Sequence, residues 1–144
     1  MSQTASRPHD PGAFQACILI VEDDPLSMKL YNDLVAARGY QVLRATDGAV
    51  GLQLAREHHP DLILLDVKLP EVSGIEVTKA LKSDPRTKDV PILVITAWPT
   101  TERAARLSGC DAFLMKPVPM SELWHAIESL LEMDNTTQKG SLNP

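Results

Sequence analysis

The sequence predicts a doubly wound α/β fold built on a five-stranded parallel sheet. Three observations carry that reading. Ile18-Leu19-Ile20-Val21, Leu62-Ile63-Leu64-Leu65 and Ile92-Leu93-Val94-Ile95 are continuous apolar runs, which suit strands covered on both faces. Stretches with helical spacing separate them, the strand-helix rhythm of a layered α/β sandwich. Right-handed crossovers then place helices on both sheet faces. The flavodoxin-like strand order 2-1-3-4-5 has its switch point between strands 1 and 3, and ligands bind there, outside the carboxyl ends of the strands.

The elements follow in order. The first strand leads to a helix that Asp24 can cap, with Pro25 in its first turn and Gly39 just past its end. Its apolar positions Leu30, Leu34 and Ala37 follow helical spacing, with Tyr31 and Val35 beside them. Residues 40–45 are interrupted by Gln41 and Arg44 and suit an edge strand. The second helix spans about 47–59 and is stopped by Pro60. The third follows Gly74 and aligns Val77, Ala80 and Leu81. A short or atypical fourth helix, about 101–108, offers only Ala104, Ala105 and Leu107. Ala112-Phe113-Leu114-Met115 is the fifth strand, and a helix from Met120 or Ser121 buries Leu123, Ala126, Ile127, Leu130 and Leu131. Trp124 lies about one position off that stripe, open to packing or to a partner.

Composition bounds the function. The 144 residues hold 44% hydrophobic and 23% charged side chains and a net charge of -5, an ordinary globular balance that disfavours electrostatic nucleic-acid binding. No apolar run approaches the ~20 residues of a membrane span, and the first fourteen residues lack the apolar core of a secretory signal. The expectation is a cytoplasmic protein, engaging neither membrane nor nucleic acid, with Cys17 and Cys110 as reduced thiols. Residues 1–16 read as a disordered arm, 17–133 as the folded domain, and 134–144 as a disordered tail too short and polar to be an output domain.

The chemistry lies at the strand ends. Strand 1 ends in Glu22-Asp23-Asp24, strand 3 in Asp66, strand 4 in Thr96-Ala97 and strand 5 in Lys116-Pro117. Carboxylates so close repel one another unless a cation intervenes. A hard divalent ion such as Mg²⁺ resolves the conflict and is commonly shared with phosphate oxygens. Asp66 is the nucleophile candidate for an aspartyl phosphate. Thr96 can hydrogen-bond one phosphoryl oxygen and Lys116 can pair with another. Asp24 could be a further acid of the metal site, although its role as helix cap suffices.

Those residues, with Leu69-Pro70 and Gly74 and the run Gly109-Cys110-Asp111-Ala112-Phe113-Leu114-Met115-Lys116-Pro117, resemble the receiver domain of two-component response regulators across 17–133. The resemblance is to the single-domain type of that family, DivK-like or CheY-like, and the segments 25–30 and 69–78 are most similar to the DivK-like cell-cycle regulators. The resemblance implies that Asp66 is the phosphoacceptor. It further implies that Asp23, Asp66 and the backbone carbonyl of Lys68 coordinate Mg²⁺ or Mn²⁺, with Glu22 acting through water. Thr96 becomes the switch hydroxyl, Phe113 the switch aromatic, Lys116 the phosphate-binding lysine, and Lys116–Pro117 a cis bond. Phe113 reads equally well as simple core. Lys68 and Trp98 flank the pocket and could shield an acyl phosphate from water.

The implied function is a phosphorylation switch, not an enzyme beyond its own phosphorylation and dephosphorylation. Its donor would be a sensor histidine kinase or a histidine phosphotransfer protein, and a downstream protein target would read its state. It would act as a monomer or a phosphorylation-linked dimer. A receiver that only docks proteins would lack one of the acids, the Thr or the Lys. An aspartate-nucleophile hydrolase would place Asp-x-Asp after strand 1, and no glycine-rich nucleotide loop follows that strand. The interval from Thr96 to Lys116 is shorter than the resemblance implies. The loss falls around helix 4, so a loose or displaced helix 4 is expected and the usual output face is not carried over.

Overall fold

In the computed structural model, which describes the backbone of residues 16–142 and the side chains of residues 16–132, each continuous apolar run becomes an inner strand. The order is β1 (Cys17–Val21), α1 (Pro25–Ala37), β2 (Gln41–Ala45), α2 (Gly48–His58), β3 (Leu62–Leu65), α3 (Gly74–Ser83) and β4 (Ile92–Thr96), then a 3-10 turn (Pro99–Thr101), α4 (Glu102–Ser108), β5 (Ala112–Met115) and α5 (Met120–Leu142). All pairings are parallel, in the order β2-β1-β3-β4-β5. Fold class and strand order are those the sequence predicts. Among the described residues, no helix is long and apolar enough to cross a membrane.

Alternation along the strands divides the core between two faces. Leu19, Val21, Ile63, Leu65, Ile92 and Val94 point toward α2, α3 and α4 and meet Ala55, Val77, Leu81 and Ala105. Ile18, Ile20, Leu62, Leu64, Leu93 and Ile95 point the other way and meet Tyr31 and Val35 of α1 and Leu123, Trp124, Ile127 and Leu130 of α5. Trp124 is thus a packing residue, buried to 7% exposure, with the Arg38 guanidinium 4.0 Å over its ring.

Local chemistry starts and stops the helices. Asp24, Asp47 and Ser73 each accept a hydrogen bond from the third residue of the helix they precede, from the N–H groups of Ser27, Val50 and Glu76, satisfying donors that the helix leaves free. Gly109 ends α4 at φ 109, where a side chain would be strained.

Two expectations need correcting. The buried face of α1 is centred on Tyr31 and Val35, whereas Leu30 is 52% exposed and Ala37 is exposed. Apolar residues occupy more of the circumference of α1 than one sheet face covers, so spacing alone does not choose the centre of the stripe. Helix 4 is short, as expected, but not displaced: Ala105 is fully buried and α4 packs on α3. Pro99 is accommodated in the 3-10 turn ahead of it, where the missing N–H is no loss. Of the expected tail, residues 134–142 carry the last backbone turns of α5, which continues to Leu142. The expected arm lies outside the described residues except for Ala16, whose carbonyl accepts from the Gln41 N–H.

Candidate functional site

Parallel register places the functional side chains at one level. Val21 pairs with Leu65, so the next residues, Glu22 and Asp66, emerge side by side. Thr96 pairs with Met115, so Lys116 follows directly beside the end of β4. Carboxylate oxygens of Glu22, Asp23 and Asp66 all lie within 4.8 Å of one another. Lys116 Nζ donates to Glu22 Oε1 at 3.0 Å and to Asp66 Oδ2 at 3.1 Å. The four predicted site elements therefore converge as the sequence suggests. The Lys116–Pro117 bond is cis.

The remaining oxygens are held by backbone. The Asp24 N–H donates to Glu22 Oε2 at 3.1 Å, and the Lys68 N–H donates to Asp66 Oδ1 at 3.3 Å. Lys68 thus passes its backbone directly beside the Asp66 carboxylate. Thr96 is buried, and its Oγ1 accepts from the Trp98 N–H at 3.3 Å.

Burial sets the electrostatics. It pushes the Glu22 carboxyl up to about 7, and the neighbouring Asp66 charge adds to the rise while Lys116 opposes it. Burial also works against the Lys116 ammonium, but hydrogen bonds to Glu22 and Asp66 outweigh it and raise that group. Three carboxylates face one ammonium, leaving an excess of negative charge when all are ionised. An all-oxygen donor set with that excess fits a hard divalent cation of the Mg²⁺ class.

Asp23, Asp66 and Lys116 open onto a cleft of about 520 Å³ that is also lined by Lys68, Thr96 and Trp98. The Trp98 side chain, 47% exposed, stands over its edge with Lys68 Nζ 5.7 Å from the ring centroid. Phe113 does not line the cleft; it is buried among the side chains beneath α3 and α4. Asp24 lines the cleft wall but stands outside the close acidic trio, engaged as the α1 cap.

One residue escapes the sequence reading and another is named there without its reason. Ser27 accepts a third hydrogen bond from Lys116 Nζ, at 3.3 Å; a serine in the first turn of a capped helix is common enough to carry no signal. Gly74 was visible as part of a motif without its reason. A Cβ there would overlap the carbonyl oxygen of Asp66, so only glycine lets α3 start against the backbone of that residue.

Known proteins share this architecture. Residues 18–128 match the family model of the response regulator receiver domain. The chain is 47% identical over 116 residues to the polar-differentiation response regulator DivK of Brucella ovis, an alignment covering 79% of this chain and 94% of that one. The DivK of Brucella anthropi is 46% identical with the same coverage. A CheY-like receiver domain protein from Methanospirillum hungatei superposes with a TM-score of 0.79 at 25% identity, over 84% of this chain and 97% of that one. The receiver domain of a sensor histidine kinase from Pseudomonas aeruginosa, with a magnesium ion coordinated in its active site cleft, superposes at 0.77 and 26% identity, over 83% and 99%.

Proposed function

The chain belongs to the response regulator receiver domain family, and from that premise we propose that it is a phosphorylation switch whose phosphoacceptor is Asp66. Receiver domains are signalling domains that work with histidine kinases and downstream targets. The observation that carries the assignment to Asp66 is its place on the cleft floor, one oxygen held by Lys116 and the other by the Lys68 N–H.

The donor is a phosphohistidine of a sensor kinase or of a phosphotransfer protein. An Asp66 carboxylate oxygen attacks phosphorus, the phosphorus–nitrogen bond breaks, and its electrons remain on the imidazole, which takes up a proton. No added base is required, because this chemistry depends on positioning and charge. Glu22, Asp23 and Asp66, with the Lys68 carbonyl, would hold Mg²⁺ or Mn²⁺. When bound, that ion supplies positive charge against the phosphoryl oxygens. Lys116 turns part of its hydrogen bonding from carboxylate to phosphoryl oxygen, and the Thr96 hydroxyl donates to another.

Signalling follows from the same groups. Phosphorylation converts the Asp66 carboxylate into an acyl phosphate of greater charge with three phosphoryl acceptor oxygens. Thr96 is drawn toward it, and Trp98, bonded to Thr96 Oγ1 through its N–H, moves with the loop after β4. A partner that prefers one of the two packings reads the state. Phe113, paired with Val94 on β4, senses the shift from the core.

The test is labelling from a phosphorylated histidine kinase or from acetyl phosphate with Mg²⁺ present. The wild-type chain should take up label and Asp66→Asn should take up none. Undiminished labelling of Asp66→Asn would remove that residue from the role.

A further inference from the structure

Resting on the phosphoacceptor reading, a second inference concerns how Lys116 is aimed. The ammonium has three protons and three acceptors: Glu22 Oε1 at 3.0 Å, Asp66 Oδ2 at 3.1 Å and Ser27 Oγ at 3.3 Å. The first two are the acids the lysine neutralises. The third belongs to α1, and its geometry is set independently.

The Ser27 hydroxyl carries a single proton, which it donates to Asp24 Oδ2 at 2.7 Å. Its lone pairs are therefore the part left for Lys116. Asp24 is in turn fixed as the helix cap by the Ser27 N–H at 3.1 Å. Cap, hydroxyl and ammonium form a short polar chain from the first turn of α1 to the centre of the site. Ser27 lines the wall shared by the acidic cleft and a neighbouring groove over α1 and the start of α5.

We propose that Ser27 is a positioning residue for phosphoryl acceptance, tethering Lys116 to α1 so that the ammonium faces the incoming phosphoryl group. Phosphorylation of Asp66 takes away one carboxylate acceptor and offers phosphoryl oxygens in its place. A lysine anchored only by Glu22 could swing along its flexible stem, while one also held by Ser27 keeps its direction. The tether neither touches the phosphorus nor changes the charge of the site.

Two substitutions isolate the hydroxyl. Ser27→Ala removes it and keeps the backbone N–H that bonds the Asp24 cap; Ser27→Thr retains it. In the unphosphorylated protein, nuclear magnetic resonance should show the Lys116 ammonium protons exchanging faster with water in Ser27→Ala and at the wild-type rate in Ser27→Thr. With acetyl phosphate and Mg²⁺, Ser27→Ala should label roughly tenfold more slowly, the scale of one hydrogen bond to a charged group, and Ser27→Thr near the wild-type rate. Wild-type labelling by Ser27→Ala overturns the role of Ser27 alone, whatever the exchange shows. Slow labelling by Ser27→Thr equal to that of Ser27→Ala overturns it too, because the hydroxyl would then not be the active feature. A wild-type chain that takes no label overturns the phosphoacceptor reading itself.

Discussion

Lys116 Nζ lies 3.1 Å from Asp66 Oδ2, although 50 positions separate the two residues in the chain. The same nitrogen is 3.0 Å from Glu22, so one ammonium holds two buried carboxylates together. Removing it leaves those acids facing each other without compensation. Lys116→Met should lower stability at pH 8 by about 3 kcal/mol without divalent ions, the usual cost of breaking a buried pair from one side. Denaturant unfolding measures it, and the loss should shrink at pH 5, where Glu22 can take a proton.

The wild-type protein should show a related pH dependence. Glu22 titrates near 7 when folded against an ordinary value of 4.5. Between those values the folded state binds more protons than the unfolded one, so stability falls as pH rises. The contribution is present in full below about 4.5 and is lost by about 7. Its upper bound is roughly 3 kcal/mol at 1.36 kcal/mol per unit. Urea midpoints from pH 4.5 to 8 should decline in metal-free buffer, and added Mg²⁺ should raise the midpoint more at pH 8 than at pH 5.

What the sequence made legible, and what it hid, divides along physical lines. Continuous apolar runs named the inner strands because burial on both faces leaves no room for polar alternation. The site was legible because parallel strands deliver their carboxyl ends to one edge whatever the loops do, which brings Glu22, Asp23, Asp66, Thr96 and Lys116 together. The exposure of Leu30 is not legible in the spacing of α1, since which part of a broad apolar band meets the sheet is decided by tertiary packing. Ser27 was hidden for a similar reason: its contact with Lys116 depends on how α1 leans over the cleft.

Asp23 is the most exposed of the three clustered acids, so replacing it should disturb folding least and the cation most. Asp23→Asn should weaken Mg²⁺ affinity by at least about tenfold with little change in the unfolding midpoint of the metal-free protein. Trp98 lines the cleft and Trp124 is buried between α5 and the sheet, so Trp98 should report the titration by fluorescence. Trp98→Phe should remove most of the response.

Lys68 and Trp98 come from loops after different strands and meet over the cleft, with Nζ 5.7 Å from the ring. If Asp66 is the phosphoacceptor as proposed, together they would narrow the approach of water to its acyl phosphate. An exposed pairing of this kind is worth about 0.5–1 kcal/mol, which sets the scale of the effect. Trp98→Ala should shorten the acyl-phosphate lifetime roughly two- to fivefold, measured as loss of label after the donor is removed. Equal decay in the two proteins would take Trp98 out of the shielding role.

Gly74 offers the sharpest separation of fold from function. A methyl group there would overlap the carbonyl oxygen of Asp66 and press on Val67 Cα, both backbone. Backbone cannot rotate aside, so either α3 retreats or the Asp66 loop shifts, and both move the Asp66 carboxylate away from Lys116. At Gly48 the nearest obstacle is the Cγ2 of Val77 at 2.7 Å, a side-chain methyl that can give way. Gly74→Ala should therefore cost about 3 kcal/mol, the upper end for overpacking, and Gly48→Ala about 1 kcal/mol. Under conditions where both variants remain folded, Gly74→Ala should also bind Mg²⁺ weakly and label slowly while Gly48→Ala labels at the wild-type rate. Normal labelling by folded Gly74→Ala would mean that the loop bearing Asp66 tolerates displacement and that its position is set by the acidic cluster and Lys116 instead.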